Sequence, residues 1–346
     1  MEWVFYCAGT GNGKFGLTVA ERIAFQFRVY QRPFRQSLQT QYGSWSVREG
    51  LLLRLEMGDR IAFGEIAPLP WFGSESLDEA IAFCTKLGST ITPAAIAHIP
   101  DSLPACQFGL EMALEQLLQP KTWLVQPEEP ASARLLPYGD DDMRTRFDGE
   151  QGCTTWKCKI GVLPLQEELL RLPHLISVLP TADSKLRLDA NASLNWETAC
   201  AWLEACAAYP QIEFLEQPLP TDCLDQMLAL SDRFPTPIAL DESVATVAQL
   251  QQICEWGWHG IVVIKPAIAG SPAQLRQVCH AYQPDVVWSS VFETAIARRY
   301  LLQSWIPSVA APTRALGFGT QHWFADEFGI GVDEWIWQSL PSQSSA

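Results

Sequence analysis

Basic residues are scarce in this chain, which has 24 lysine and arginine residues against 39 aspartate and glutamate residues, for a formal net charge of −15. So little positive charge makes nucleic acid and anionic membrane surfaces poor partners. No apolar stretch approaches the roughly 18 residues that a membrane-spanning helix needs. The N-terminal MEWVFYCAGTG lacks the basic start and the long apolar run of a signal peptide. We therefore expect a cytoplasmic protein that binds neither nucleic acid nor membranes.

Cysteine and histidine motifs are also missing. The ten cysteines include no CxxC pair, and the five histidines show no HxH or HxxxH spacing. Scattered cysteines in a chain without a secretory signal are typically reduced and buried. We expect no zinc site, no disulfide framework and no catalytic histidine.

A series of short hydrophobic runs between residues 156 and 266 dominates the rest of the chain. The runs end in charged residues at intervals of 30, 27, 25 and 24 residues, at Lys159, Asp189, Glu216, Asp241 and Lys265. About 30 residues accommodate one parallel strand and its returning helix, so the repeat predicts an α/β fold, a (β/α) TIM-type barrel. Polar residues at the C-terminal ends of barrel strands are typical of an active site.

Strand parity places these charges on one face of the predicted sheet. Because side chains alternate along a strand, Lys157 shares a face with Lys159, and Arg187 and Asn191 share a face with Asp189. Three carboxylates on successive strands repel one another unless a cation lies between them. Oxygen-only ligands suit Mg²⁺. A metal with a nearby lysine base predicts abstraction of a proton next to a substrate carboxylate.

These motifs resemble the enolase superfamily, in its muconate-lactonising enzyme subgroup. The matching stretches are TWKCK, RLDAN, EQPLP, DES, KP with Gly270, SSVFET and the N-terminal GEIAPLPWFG. Within the subgroup they are most similar to the o-succinylbenzoate synthase family of menaquinone and phylloquinone biosynthesis, over roughly residues 20–325. The resemblance implies a metal-dependent carbon–oxygen lyase that dehydrates 2-succinyl-6-hydroxy-2,4-cyclohexadiene-1-carboxylate, a small-molecule carboxylate, to 2-succinylbenzoate.

The resemblance also implies roles for individual residues. Lys159 is the proton-transferring base, Lys157 assists it, and Lys265 acts from the other side of the substrate ring. Mg²⁺, with Mn²⁺ as a substitute, is held by Asp189, Glu216 and Asp241. Glu242 is implied as a partner of a lysine. Expected substrate contacts, two of them through glycine amides that approach a carboxylate closely, are Arg187, Asn191, Ser289, Ser290, Gly317 and Gly319.

The N-terminal third predicts a separate α+β unit. ERIAFQFRVY and VREGLLLRLE alternate as strands on either side of the turn-rich RPFRQSLQTQYGSW, and IAFGEIAPLPWFG adds a third strand. Residues 75–119 have helical periodicity, with Ser76 and Glu79 at capping-box spacing. This unit matches the capping domain that the resemblance implies.

The predicted division has a capping domain at residues 1–120, completed by about 321–346, and a barrel domain at 121–320. The resemblance implies that two loops of the cap cover the barrel mouth, and these would carry Phe34 and Trp71. The two aromatic residues either shape the substrate pocket or pack the domains together.

Two alternative functions stay open. A racemase acting on N-acylamino acids, or a muconate-type cycloisomerase of the same subgroup, would use the same lysines in two-base proton transfer. A dipeptide epimerase of this subgroup is expected to carry DxD after the eighth strand, which we expect near 308–320, and residues 310–325 contain none. The alternative from another class is a non-catalytic barrel that binds a partner. The oligomeric state is not predicted.

Overall fold

The computed structural model describes residues 21–40, 43–119, 131–136, 154–309 and 313–341. The glycine-rich start at 1–16, most of the Pro-rich connection at 120–131, the charged loop at 140–152 and most of the PSQSSA tail lie outside these ranges. None of the helices inside them has the length and apolar content that crossing a membrane requires.

An antiparallel sheet with the strand order β3-β2-β1-β4 forms the N-terminal unit. Its strands are β1 (Ile23–Thr40), β2 (Gly43–Met57), β3 (Arg60–Ile66) and β4 (Thr90–Ile91). β1 and β2 pair as far as Thr40 and Gly43, with an irregularity between Pro33 and Leu38. The expectation of a turn-rich RPFRQSLQTQYGSW is therefore wrong, because the long hairpin satisfies the backbone groups of this stretch despite its proline.

Three helices follow within this unit. They are α1 (Leu77–Leu87), α2 (Pro93–Ala97) and α3 (Pro104–Leu118). The predicted capping box is confirmed, since Glu79 N donates to Ser76 Oγ and the Glu79 carboxylate accepts from Ser76 N. Helix α3 packs closely on β3: a Cβ at Gly64 would lie 2.3 Å from the carbonyl oxygen of Gly109. Glycine at this contact lets the two backbones touch.

Parallel strands form a second sheet in the order β11-β10-β9-β8-β7-β6-β5. They are β5 (Arg134–Leu135), β6 (Thr155–Lys159), β7 (Lys185–Asp189), β8 (Ile212–Glu216), β9 (Ile238–Leu240), β10 (Ile261–Ile264) and β11 (Asp285–Trp288). Leu316 bridges to Ser132 beside β5, and Gly317 bridges to Ser289 after β11. The eighth position of the predicted barrel is thus filled by Leu316 and Gly317, which close the ring.

Helices alternate with these strands. They are α4 (Leu165–Ser177), α5 (Trp196–Cys206), α6 (Leu224–Arg233), α7 (Val247–Trp256), α8 (Pro266–Ala269), α9 (Pro272–Tyr282) and α10 (Ala295–Tyr300). Helix α10 continues through a π-helical turn at Leu301–Trp305 and a last turn at Ile306–Val309. The C-terminal segment contains α11 (Asp333–Gln338).

A small apolar cluster fills the interior of the barrel below the charged strand ends. Its members are Phe214, Ala239, Ile261, Val263 and Val287. Each of them lies two or four residues before the polar residue that ends or follows its strand, so both point to the same side of the sheet. The residues between them pack against the helices. The predicted alternation of interior and exterior side chains is therefore confirmed.

Glu65 of β3 joins the N-terminal unit to the barrel. Its fully buried carboxylate accepts from the Thr294 backbone N at 2.9 Å, from Thr294 Oγ1 at 2.6 Å and from the Tyr30 hydroxyl at 2.7 Å. Thr294 is the N-cap of α10, where the helix dipole favours negative charge.

A second acid, Glu111 of α3, faces the start of α9. It accepts from Ser271 Oγ at 2.7 Å. Burial, opposed by the hydrogen bond from Ser271, raises the pKa of Glu111 to about 7 from an ordinary value of 4.5; the charge of Glu115 adds to the increase and that of Arg276 opposes it. Tyr300 completes the group through its hydrogen bond to Glu115. The folded protein therefore holds a proton that the unfolded chain releases at lower pH.

Glu111→Gln is expected to change how stability depends on pH. In the wild type the free energy of unfolding falls as pH rises from about 4.5 to about 7, because only the unfolded state loses the proton freely over that interval. The neutral glutamine removes this loss, so the variant should be more stable at pH 8 by on the order of 2 kcal/mol. Urea unfolding at pH 5 and pH 8 measures the difference, with Glu204→Gln on the exposed face of α5 as the control. Equal pH slopes in wild type and Glu111→Gln would contradict it.

Candidate active site

The charged strand ends lie at one end of the barrel. Lys159 on β6, Asp189 on β7 and Glu216 on β8 are paired in register, so they leave the sheet at the same level. Asp241 directly follows β9 and Lys265 directly follows β10. Parallel strands thus bring the five predicted residues to one mouth.

Ammonium groups lie between the carboxylates. Lys157 Nζ is 2.8 Å from Asp189 Oδ2 and 2.7 Å from Glu216 Oε1, and Lys265 Nζ pairs with Asp241. The three carboxylates are all buried. With the lysines placed in this way, no three acidic, histidine or cysteine side chains in the described ranges converge on a single ion position.

The electrostatics of these residues favour a cation between them. Burial and the repulsion of Asp189 and Asp241 raise the pKa of Glu216 to about 8, although Lys157 opposes the increase. Burial lowers the pKa of Lys157, but attraction to Asp189, Glu216 and Asp241 outweighs burial and raises this pKa above its usual range. Lys157 therefore stays charged. Its contacts with two carboxylates show that positive charge fits there, and an oxygen-only donor set suits Mg²⁺.

The other two amines stand on opposite sides of the mouth. β6, which carries Lys159, is separated from β10 by β7, β8 and β9 in one direction and by β11, the Leu316–Gly317 segment and β5 in the other. Lys159 is half-buried, and its side-chain amine makes no hydrogen bond or ion pair with any described residue. Lys265 Nζ lies 3.7 Å from the ring centroid of Phe72, a cation–π contact.

Asn191 and Glu242 surround the carboxylates. The Asn191 backbone N donates to Asp189 Oδ1 at 3.0 Å, and its Nδ2 donates to Glu242 Oε1 at 3.3 Å. Burial, followed by repulsion from Asp241 and Asp189, raises the pKa of Glu242 to about 7, and the charge of Lys265 opposes the increase. Glu242 Oε2 is buried without a hydrogen-bond partner in the described ranges.

Comparisons with known proteins agree with this arrangement. A family model described as MenC, N-terminal domain, matches residues 23–117, and one described as enolase C-terminal domain-like matches residues 142–320. The o-succinylbenzoate synthase of Thermosynechococcus vestitus is 39% identical over 87% of this chain and 94% of its own length. The chain belongs to the o-succinylbenzoate synthase family. The predicted family is confirmed.

Further members and solved structures support the same placement. The o-succinylbenzoate synthase of Yersinia enterocolitica is 32% identical over 84% of this chain and 89% of its own. The crystal structure of the enzyme from Thermosynechococcus elongatus, described as complexed with Mg in the active site, superposes with a TM-score of 0.82 at 37% identity, covering 92% of this chain and all of that one. Muconate lactonizing enzyme from Pseudomonas fluorescens superposes with a TM-score of 0.75 at 17% identity, covering 89% of this chain and 90% of that one, which shows the fold. The predicted fold class is confirmed.

Arg187 and Ser290, which were expected to contact the substrate, also have side-chain hydrogen bonds within the protein. Arg187 Nε donates to Glu213 at 2.7 Å, and Arg187 Nη2 donates to the Ala315 carbonyl at 2.8 Å. Arg187 is almost fully buried and lies two residues below Asp189, so these contacts join neighbouring strands. The Ser290 hydroxyl donates to Glu293 at 2.8 Å.

The expectation that the Gly317 amide binds a substrate carboxylate is wrong. This N–H donates to the Trp288 carbonyl at 2.7 Å, because it closes the barrel. A Cβ at Gly317 would lie 2.7 Å from Ser289 Oγ, which explains glycine here by packing. The Gly319 amide has no backbone acceptor in the described ranges, so Gly319 stays a predicted contact, as does Ser289.

Gln217 and Phe72 also shape the site, although the sequence patterns did not single them out. Gln217, buried directly after Glu216, accepts from the Asp241 backbone N at 2.9 Å and donates to Ser243 Oγ at 2.7 Å, so it holds Asp241 in place. The sequence feature that could have indicated Gln217 is its position as a polar residue in EQPLP, directly after a buried strand. Phe72 contacts the Lys265 ammonium, and the aromatic pair in PLPWFG was the sequence feature that could have indicated it.

Aromatic side chains from three parts of the chain meet beside the mouth. Phe34 is buried against Trp45, Phe292 and Phe324, with ring centroids 4.7–5.3 Å apart. Trp71 contacts Trp45 at 5.1 Å and is 37% exposed. Phe34 thus packs the hairpin against the barrel and the C-terminal segment, whereas Trp71 is exposed.

Proposed function

We propose that this chain converts 2-succinyl-6-hydroxy-2,4-cyclohexadiene-1-carboxylate to 2-succinylbenzoate and water, with Mg²⁺ held by Asp189, Glu216 and Asp241. Support comes from the o-succinylbenzoate synthase relatives and from the Mg complex of one of them. The observation that carries the proposal is the register of Lys159 with Asp189 and Glu216 on adjacent strands. It puts an amine that is unpaired within the described part of the chain beside an acidic cluster.

Lys159 moves the proton in this proposal. Its neutral amine takes the hydrogen from the ring carbon next to the carboxylate, and the electrons of that C–H bond spread towards the carboxylate. The resulting ammonium gives the same proton to the ring hydroxyl as the C–O bond breaks, so water leaves and the ring becomes aromatic. One amine serves both steps because the hydrogen and the hydroxyl leave from the same face.

Positive charge from several sources lowers the energy of the transition state. Bound Mg²⁺ supplies Lewis-acid stabilisation of the charge that develops on the substrate carboxylate. Lys265 offers a cation to the planar ring from the side opposite Lys159. Lys157 stays protonated between Asp189 and Glu216, where it assists Lys159 by adding positive charge to the site. Proposed substrate contacts are Asn191, Ser289, Ser290 and Gly319.

A direct assay tests the dehydration. Purified protein is mixed with the cyclohexadiene substrate, and the formation of 2-succinylbenzoate is followed by absorbance, with and without EDTA. We expect turnover that EDTA abolishes and added Mg²⁺ or Mn²⁺ restores. Equal turnover in EDTA would overturn the metal assignment, and no turnover with Mg²⁺ would overturn the function.

A racemase acting on N-acylamino acids is the second candidate, because amines on opposite sides of a mouth also suit two-base proton exchange. In D₂O such an enzyme places deuterium at the α-carbon of an N-acylamino acid, and both Lys159 and Lys265 are required. Deuterium incorporation without any dehydration of the cyclohexadiene would favour this candidate.

The domain boundaries that we propose are a capping domain at 1–120 with 321–346, and a barrel at 121–320. Contacts of the C-terminal segment with β1 support this division: Phe34 bridges Phe324, and Arg28 donates to the Trp337 carbonyl at 2.7 Å.

We also propose that the enzyme works in the cytoplasm, where thiols stay reduced. The cysteines in the described ranges, all of them free, support this.

A further inference from the structure

Arg48 of β2 is a buried cation whose partners are backbone carbonyl oxygens. Its side chain is 2% exposed. Nε donates to the Val291 carbonyl at 2.8 Å, and Nη1 donates to the Pro68 carbonyl at 3.0 Å and to the Glu49 carbonyl at 2.6 Å. Nη2 donates to the Ala67 carbonyl. One planar guanidinium therefore fixes the relative positions of several backbone segments.

Two of these segments are loops at the barrel mouth. The cap loop, defined here as residues 67–73, begins with the two carbonyls that Arg48 binds and carries Phe72. The barrel loop, defined as residues 289–294, contains Val291 and follows β11. Arg48 contacts neither the strand-end carboxylates nor the lysines, so any effect on the reaction passes through these loops.

Phe72 connects the cap loop to the chemistry. Its ring face lies 3.7 Å from the Lys265 ammonium, which also pairs with Asp241. The ring and the carboxylate together limit where this ammonium can move. A displacement of the cap loop would move Phe72 away from Lys265, and the ammonium would then be held by Asp241 without the ring contact.

We propose that Arg48 is a positioning residue for the dehydration. It ties the cap loop to the barrel loop, so that Phe72 holds the Lys265 ammonium where negative charge develops on the substrate ring. This inference rests on the proposed function, because Lys265 matters only if that charge forms.

Arginine is required at this position for a geometric reason. The guanidinium donates in fixed in-plane directions to carbonyls on opposite sides, whereas a lysine ammonium is a single point on a flexible stem. Replacing the Arg48 guanidinium by a group with fewer donors leaves buried carbonyl oxygens without hydrogen bonds. These oxygens can find new donors only if the loops move. Even a small displacement of a catalytic group lowers the rate strongly.

The test compares Arg48→Lys and Arg48→Met with Arg54→Met. Arg54 lies on the same strand and pairs with Glu56 at 2.6 Å, away from both loops. We expect Arg48→Lys to lower kcat for dehydration by about tenfold to 100-fold with a smaller change in KM, since ring stabilisation is affected more than carboxylate binding. Arg54→Met should leave kcat unchanged. If Arg48→Met does not fold, the Arg48→Lys protein, checked by its melting temperature, carries the comparison.

A double-mutant cycle with Phe72→Leu separates positioning from general damage. If Arg48 acts through Phe72, Arg48→Lys in the Phe72→Leu background should lower kcat by less than about threefold, because the contact is already lost. Hydrogen exchange should also be faster in residues 67–73 of Arg48→Lys and unchanged in α1. Fully additive losses, or a kcat equal to that of Arg54→Met, would overturn the inference. A wild type inactive towards the substrate would instead overturn the proposed function.

Discussion

Lys159→Ala is expected to lower kcat for the dehydration by about 10⁴-fold, the upper range for loss of one general acid–base group. The expected loss is this large because one amine performs both transfers, taking the proton from carbon and giving it to the leaving hydroxyl. The Lys159 amine has no ion pair or hydrogen bond with the described residues, so its removal breaks no polar contact among them and the half-exposed position should tolerate alanine without loss of the fold. Steady-state kinetics and thermal melting measure the two quantities.

Matched variants make this result specific. Lys185, exposed at the opposite end of β7, provides a control of the same type, and Lys185→Ala should keep wild-type kcat. Lys159→Arg should be as inactive as Lys159→Ala, since a guanidinium does not release its proton. Activity of Lys159→Ala within tenfold of wild type would rule out Lys159 as the base.

Glu216→Gln should weaken Mg²⁺ binding and lower kcat/KM, each by about 100-fold or more. Glutamine keeps the shape of the side chain but removes one negative charge from the centre of the acidic group, between the strands of Asp189 and Asp241. Calorimetric titration with Mg²⁺ measures the affinity independently of activity. The change also leaves Lys157 with one carboxylate partner, so the position of the ammonium is altered together with the metal site.

Glu204→Gln, on the exposed face of α5, is the control for the calorimetry and should bind Mg²⁺ as the wild type does. An unchanged isotherm for Glu216→Gln would remove this residue from the ligand set. If Glu216→Gln bound Mg²⁺ normally but lost activity, its role would lie in holding Lys157.

Some features that the sequence predicted depend on local pattern alone. The capping box at Ser76 needs only two residues three apart, and the structure contains it. The alternation of interior and exterior residues follows from strand geometry, which is why Asp189 and Glu216 could be assigned to the same face before their register was known.

Other features depend on partners that lie far away in the chain. Arg187 has the parity of a site residue, but Glu213 and the Ala315 carbonyl occupy its guanidinium. Gly317 looks like a residue for close substrate approach, yet its amide closes the barrel on Trp288. Sequence pattern did not reveal either partner, because hydrogen bonding between distant segments depends on how the strands assemble.

The sequence by itself determined the barrel, the order of its charged strand ends and the chemistry that those residue types allow, because a βα repeat and strand parity are local properties. Only the tertiary structure decided which amines pair with which carboxylates, that Lys159 and Lys265 stand on opposite sides of the mouth, and that Arg48 ties two loops above it. Those outcomes depend on barrel closure and on the packing of β2 and β3 against the loop after β11, which join residues more than 200 positions apart.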